Sequence, residues 1–598
     1  MAFAASLLCG VCYGAAMAQQ APAAAAPTVQ PTAPASTPPP TKAPAPAGRQ
    51  VQNYTPVTQQ RLDNPEPSNW LLYRRTYDGH GFSPLNQINA ANVQDLVPVW
   101  TYSTGVVEGH EAPPMVNNGV MFVATPYNQV LALDAKTGDP IWQYKKKVPE
   151  DLFQLHPTNR GVAMYGDKLY LAATDAHLVA LDAKSGKEVW DAKVGNYQKG
   201  EYMTLEPLVV NGKIIVGASG GEFGVRGFIA AYDAETGKPL WKTYTIPSPG
   251  EPGSNTWRGN EWQHGGGSVW ITATYDPKRN ISYWGVGNAA PWTGDQHPGD
   301  NLFTSSVVGI NPDTGKIVEY HQYHPNDSWD WDEIDPPMLI NMTWHGQPID
   351  ALLHPARDGY LWLLEQTDKG IEFLAGKPFV GQNAFASLDP KTGRPTFDPA
   401  HKPVVGKMVS FCPSLWGGKD WPSATYSDET RLVYIPANNY MCEQEEGEKK
   451  KLVVGQLWLG VDPNSQALLP KDHHIGELQA WDPETGKQVW MHPFPGSQLF
   501  ASTLSTAGGL VFVGGTNDRM FRAFDARTGQ TVWQQKTNSG IMGMPVAYEV
   551  DGTQYIAVQS GWGVDAQRIQ DMLATTDMKV NPNVPQGGVV WVFALRQH

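Results

Sequence analysis

Five copies of one short pattern, Asp-x-x-Thr/Ser-Gly-x-x-x-Trp, constrain this 598-residue chain more than any other feature. They run Asp134–Trp142, Asp182–Trp190, Asp233–Trp241, Asp482–Trp490 and Asp525–Trp533, and a degenerate copy, Asn311–Gly315, lacks a tryptophan at the matching place. In each, an alternating strand such as Val130–Asp134 enters a turn closed by Gly, and a second strand leaves it carrying the Trp, which is a hairpin in miniature. Trp142, Trp190 and Trp241 stand 48 and 51 residues apart, and Trp490 and Trp533 stand 43 apart. That period fits one four-stranded sheet per repeat. Stacking such sheets in a ring buries each tryptophan against the next unit and protects the edges. With 60 Gly and 22 Trp favouring short strands and turns, the expected fold is all-β, a propeller.

The ends and the cysteines bound the setting. Residues 1–18 are small and apolar and finish Ala16-Met17-Ala18, which reads as a signal peptide whose basic start is missing. Residues 19–50 are a Pro/Ala-rich linker, with nine prolines between 20 and 48. The remaining span, 51–598, contains no apolar run of membrane-spanning length, so no transmembrane span is expected in the mature chain. Cys9 and Cys12 fall in the leader, which leaves Cys412 and Cys442 able to form one bridge. Closing that 30-residue loop contributes about 3–4 kcal/mol in the chain-entropy model, and export to an oxidising compartment permits it. Net charge is −14 with no basic block, which excludes a nucleic-acid partner. The sequence has no Cys-x-x-Cys-His, hence no covalently attached haem.

One acidic stretch stands apart. Asn326–Glu333 sets Asp327, Asp330, Asp332 and Glu333 around Trp329 and Trp331. On extended backbone, alternation points Asp330 and Asp332 one way and the two indoles the other. Two readings stand open on these residues alone: a solvated acidic loop, or carboxylates converging on a hard cation.

The tryptophan repeat resembles that of the pyrroloquinoline quinone (PQQ) dehydrogenases. Asn69–Asp78, Phe82–Ile88, Gly561–Gly563 and the closing Gly588–Ala594 are similar to the family's opening and end. The resemblance implies an eight-bladed propeller and is strongest to the periplasmic methanol and ethanol dehydrogenases. It carries over residue by residue. Glu111 in Gly109–Pro113, Arg160 in Asn159–Val162, Thr204 and Ser219 match groups that bind PQQ, and Trp270 matches the tryptophan on which the quinone stacks. A guanidinium such as Arg160 suits a tricarboxylate. Glu222 in the Gly-rich Ser219–Gly227 segment, Asn288 in Gly287–Trp292 and Asp330 match the metal ligands. Asp330 also matches the catalytic base, Arg357 the arginine beside the reactive carbonyl, and Cys412 and Cys442 a family disulfide. An all-oxygen donor set suits a hard cation and argues against zinc.

Two departures sharpen the expectation. Where the alcohol dehydrogenases have adjacent cysteines, this chain has Gln154-Leu155, followed by His156, a histidine that resembles the one covering the quinone in membrane glucose dehydrogenases. Asp332, two residues after Asp330, matches the extra aspartate of the lanthanide-dependent branch, since a trivalent ion prefers more anionic oxygen donors. The expected metal is therefore a lanthanide, with Ca²⁺ as the alternative. The resemblance implies a periplasmic enzyme that oxidises a primary alcohol, or also an aldehyde, by hydride transfer to metal-bound PQQ. Electrons pass to a soluble cytochrome c, and a homodimer is an open alternative to a monomer. Two other readings stay open: a PQQ-dependent sugar or polyol dehydrogenase, and a cofactor-free propeller scaffold of envelope assembly. Asp327 and Glu333 are expected to be solvated neighbours without a role.

Overall fold

The computed structural model describes residues 49–596 other than 53 and 473. The signal segment 1–18 with Cys9 and Cys12, and the linker up to residue 48, lie outside them. Among the described residues the chain is mostly β, with two short helices, Gln59–Asp63 and Val564–Ala574. Seven sheets have four strands, and an eighth has five because Phe82–Ser83 pairs in parallel with Leu504–Thr506. A two-stranded and a three-stranded sheet are added between residues 385 and 470. No helix among the described residues is long and apolar enough to cross a membrane.

The sheet Leu208–Val210, Lys213–Gly217, Phe228–Asp233, Pro239–Tyr244 shows why the sequence folds this way. Its first three strands are almost wholly buried, because both faces pack on neighbouring sheets. Its fourth strand is outermost and alternates exposed with half-buried residues.

The repeated motif is a docking device between sheets. The indole N–H of Trp142 donates to Ala183 O (3.1 Å), Trp190 to Ala234 O (3.2 Å), Trp241 to Pro312 O (2.8 Å) and Trp490 to Ala526 O (3.1 Å). In every case the acceptor lies in the turn of the next motif. The motif's glycine lies against the same ring: a Cβ on Gly186 would meet Trp142 at 2.5 Å, and one on Gly237 would meet Trp190 at 2.7 Å. The motif's Asp holds the turn, as Asp134 Oδ1 accepts the N–H groups of Lys136 and Thr137, both at 2.9 Å. The degenerate Asn311 does the same at 3.1 Å, and Trp241 packs on its Gly315.

Two of the large sheets carry no copy of the motif. One spans Met338–Pro378, and the other pairs Leu96–Ser103 with Val589–Leu595, joining the two ends of the described chain. Conversely, Asp389-Pro-Lys-Thr-Gly393 closes its turn in the same way yet belongs to a detached two-stranded hairpin. The expected Cys412–Cys442 disulfide is present and ties Met408–Phe411 to Met441–Glu446.

Because Gly186 combines a left-handed φ of +69° with the Trp142 contact, Gly186→Ala is expected to cost about 2–4 kcal/mol of backbone strain and overpacking. Gly250→Ala, at φ +93° with open space around it, is expected to cost only the backbone share, about 1 kcal/mol. Thermal unfolding followed by circular dichroism should show the larger fall in midpoint for Gly186→Ala; equal falls would mean that the indole contact carries no weight.

Candidate active site

The loop that leaves strand Ile317–Gln322 and enters Met338–Trp344 carries the acidic stretch, buried from Asp327 to Glu333. Its backbone is not extended at Asp330, where φ is +62°, a left-handed conformation rare for a residue with a side chain. The outcome of the alternation argument nevertheless holds. Trp329 and Trp331 stack on each other, centroids 4.7 Å apart, and anchor by their indole N–H groups to His401 O and Ser414 O. Asp330 and Asp332 instead line a cavity of ≈ 410 Å³.

Charge is concentrated on one wall of that cavity. Arg357 reaches Asp330 (3.7 Å), Asp332 (3.6 Å) and Asp420 (3.3 Å), and its Nε donates to Leu415 O (2.7 Å). Glu222 lines the same cavity. One guanidinium thus faces four carboxyl groups. Burial is the largest cause pushing these acids up: Asp332 to about 7, Asp420 to about 6, and Asp330 and Glu222 above their ordinary range. Arg357 opposes the rise, whereas the acids raise one another. Arg357 is itself held above its usual value by the carboxylates, against its own burial.

Asn288 completes the arrangement from behind the wall. Its amide nitrogen donates to Asp330 Oδ1 (2.8 Å), its backbone N–H donates to Asp332 Oδ1 (2.7 Å), and its own Oδ1 is buried with no hydrogen-bond partner. Asp332 Oδ2 accepts from the Trp270 indole (2.9 Å). An orphaned amide oxygen beside three carboxyl groups fits a hard cation, whose charge would offset theirs and reverse the rise in their pKa values. Close approach is essential here, since a Cβ on Gly287 would sit 2.1 Å from Asp332 Oδ1.

The residues expected to hold the quinone lie beside this wall in the same lining. Arg160 donates to Thr204 Oγ1 (2.7 Å), and Ser219 Oγ lies 3.5 Å from Thr204. The Arg160 guanidinium also lies 4.6 Å from the centroid of Trp270 and 5.1 Å from that of Trp421. His156 lies on the wall, 3.6 Å from Asp565. Glu111 is buried off the wall, 2.9 Å behind Arg160, and burial pushes it up to about 7. Its reach to a ligand therefore runs through Arg160.

Two expectations are corrected. Asp327 and Glu333 are not solvated: they are 0% and 1% exposed and engaged in hydrogen bonds on the inner side of the loop. Asp420, Trp416 and Asp565 were not anticipated, although Trp416 and Asp420 flank a Gly-Gly pair outside the tryptophan repeat, the context that marks Trp270. Leu457 and Leu459 lie in no motif and reach the cavity only because Trp458 N–H and Leu459 O bond to Glu222 O and Trp292 N.

Comparison with known proteins shows the family. The family model described as "Glucose/ethanol/alcohol dehydrogenase, beta-propeller domain" of PQQ proteins matches residues 70–371 and 491–556. Quinoprotein alcohol dehydrogenase PedH of Pseudomonas putida is 37% identical over 544 residues, 86% of this chain and 89% of its own. A lanthanide-dependent methanol dehydrogenase of Methylacidiphilum fumariolicum is 36% identical, covering 83% of this chain and 85% of its own. The solved structure of a europium-containing methanol dehydrogenase superposes with a TM-score of 0.83 at 34% identity, covering 90% of this chain and all of that one.

His156→Ala is expected to weaken binding of added PQQ by about tenfold, the loss of roughly one well-placed ring contact. Quenching of tryptophan fluorescence on titration with PQQ reads this directly, and unchanged affinity would remove His156 from the binding set.

Proposed function

This chain belongs to the PQQ-dependent (quinoprotein) alcohol dehydrogenase family, and from that premise we propose how its cavity oxidises a primary alcohol. It is an oxidoreductase. The observation that carries the reading is the meeting of Asp330, Asp332 and Arg357 beside the orphaned Asn288 oxygen and the Trp270 ring.

Bound PQQ supplies a two-electron acceptor and the metal beside it a Lewis acid. Glu222, Asn288, Asp330 and Asp332 are the residues that hold the metal, and Trp270, His156, Arg160, Thr204 and Ser219 hold the quinone, with Glu111 bracing Arg160. Asp330, whose carboxyl lines the cavity beside Arg357, accepts the alcohol's hydroxyl proton. Arg357 stabilises the negative charge that develops on oxygen beside it. Leu155, Leu415, Leu457, Leu459 and Val564 line part of the cavity, and this apolar share suits the alkyl part of an alcohol.

Asp332 supports a lanthanide over calcium, because it adds a third anionic oxygen donor to Glu222 and Asp330. The europium-containing and lanthanide-dependent relatives lend weight to that choice. The eight large sheets, the strand pairing at Leu96–Ser103 and the Trp533 bond to Leu96 O support eight blades closed into a ring. The absence of a haem-attachment motif makes a separate soluble cytochrome c the proposed acceptor, and the disulfide favours the periplasm.

Asp330→Asn should lower dye-linked alcohol oxidation by about 10²–10⁴-fold while the protein stays folded; retained turnover would end its role as base. Asp332→Ala should lower turnover supported by lanthanum at least about tenfold more than turnover supported by calcium. The opposite order would refute the lanthanide assignment.

A further inference from the structure

Behind the cavity wall lies a buried polar cluster that none of the roles above uses. Asp327 Oδ2 accepts the backbone N–H groups of Asp330 (3.0 Å), Trp329 (3.2 Å) and Trp331 (3.4 Å). Its Oδ1 accepts from His324 Nε2 (3.0 Å). Glu333 Oε2 accepts the backbone N–H of Arg357 (3.0 Å) and His354 Nε2 (2.8 Å), and its Oε1 accepts the N–H of Asp358 (3.0 Å). His324 Nδ1 lies 3.7 Å from Glu333 and 3.6 Å from Asp358. Every one of these side chains is at most 1% exposed.

His324, Glu333 and Asp358 have the make-up of a metal ligand set. Their carboxylate oxygens, however, are already occupied in holding the chain. Both Glu333 oxygens accept N–H groups, and Asp358 accepts from Tyr360 N and from the Trp362 indole. The cation this cluster can hold is a protonated His324, whose pKa burial lowers but the Asp327 hydrogen bond and the nearby Asp358 and Glu333 carboxylates raise to about 10.

The connectivity joins two otherwise separate loops. One end of the cluster grips the backbone of Asp330, and the other grips the backbone of Arg357. Asp330 sits at φ +62°, a conformation that costs of order 1 kcal/mol or more and persists only where its surroundings enforce it. Three N–H groups converging on one carboxylate oxygen supply that enforcement. Without it, the backbone relaxes to negative φ and carries the Asp330 carboxyl away from its place in the cavity. We propose that Asp327 and Glu333, bridged by His324, are positioning residues that set the spacing of the Asp330 carboxyl and the Arg357 guanidinium.

The inference rests on the reading of Asp330 and Arg357 given above, so the test begins with the wild-type holoenzyme loaded with PQQ and metal. If that enzyme oxidises no alcohol, the functional reading fails, and this inference with it, before any variant is compared. With an active wild type, kcat per bound PQQ is measured for Asp327→Asn, Asp327→Ala and Glu333→Gln, on a primary alcohol and on its 1,1-dideuterated form. Expected is a loss of about 10- to 100-fold in kcat per bound PQQ, with KM changed far less. The deuterium isotope effect on kcat should be undiminished, since the damage is to the chemical step, and Asp327→Asn, which keeps one acceptor oxygen, should lose less than Asp327→Ala. A merely structural role would lower the unfolding midpoint and the PQQ-loaded fraction but leave kcat per bound PQQ within about twofold of wild type, and that result overturns the proposal. Should Asp327→Ala fail to fold, Asp327→Asn and Glu333→Gln decide by the same measure.

Discussion

An indole lying on a glycine holds one sheet to the next. Four of the five motif tryptophans pack the ring on the following turn's glycine and donate the N–H to a carbonyl of that same turn, while Trp533 donates to Leu96 O. Neither half works alone, because a side chain at the glycine would push the ring out and leave the buried N–H without its acceptor. The contact sets sheet-to-sheet distance and register together. The loops at the ends of the strands then arrive at one cavity from sheets that are far apart in sequence, bringing Glu222, Asn288, Asp330 and Arg357 within reach of one another.

What the scaffold brings together is electrostatically unfavourable by itself. Glu222, Asp330, Asp332 and Asp420 share one cavity with Arg357 as the cation between them, and burial raises the cost of every negative charge. A hard multivalent cation bound by the oxygens of Glu222, Asp330 and Asp332 would convert that liability into affinity. The protein tolerates the arrangement because the backbone around it is tied down independently: Asp327 and Glu333 spend their charge on N–H groups and on His324, not on the metal. Two layers of acid therefore lie back to back, the front layer facing the cavity and the back layer facing the chain.

Sequence reasoning reached the front layer and missed the back. Glu222, Asn288, Asp330, Asp332, Arg160 and Trp270 stand in short motifs that resemble those of the PQQ dehydrogenases. His324 and Asp358 do not, since a lone histidine and an Asp-Gly turn are common anywhere. Asp327 and Glu333 were visible as acids, but polarity alone suggested solvent. Asp330 was placed on the correct side for an incomplete reason: alternation describes extended backbone, and the φ of this residue is left-handed.

By itself, the sequence determined the repeat, the all-β class and the disulfide partners, and its resemblance to the PQQ dehydrogenases picked out nine of the residues that line the cavity. These depend on local patterns, such as a turn that needs Asp and Gly or a strand that needs alternation, and such patterns are written in adjacent positions. Only the tertiary structure decided which acids face the cavity, that Arg357 is shared by three of them, and that Glu111 lies behind Arg160. It also placed Leu457 and Leu459 at the cavity from a loop without any motif. Those features follow from how separate sheets dock, and a through-space distance between residues hundreds of positions apart leaves no mark in either local sequence.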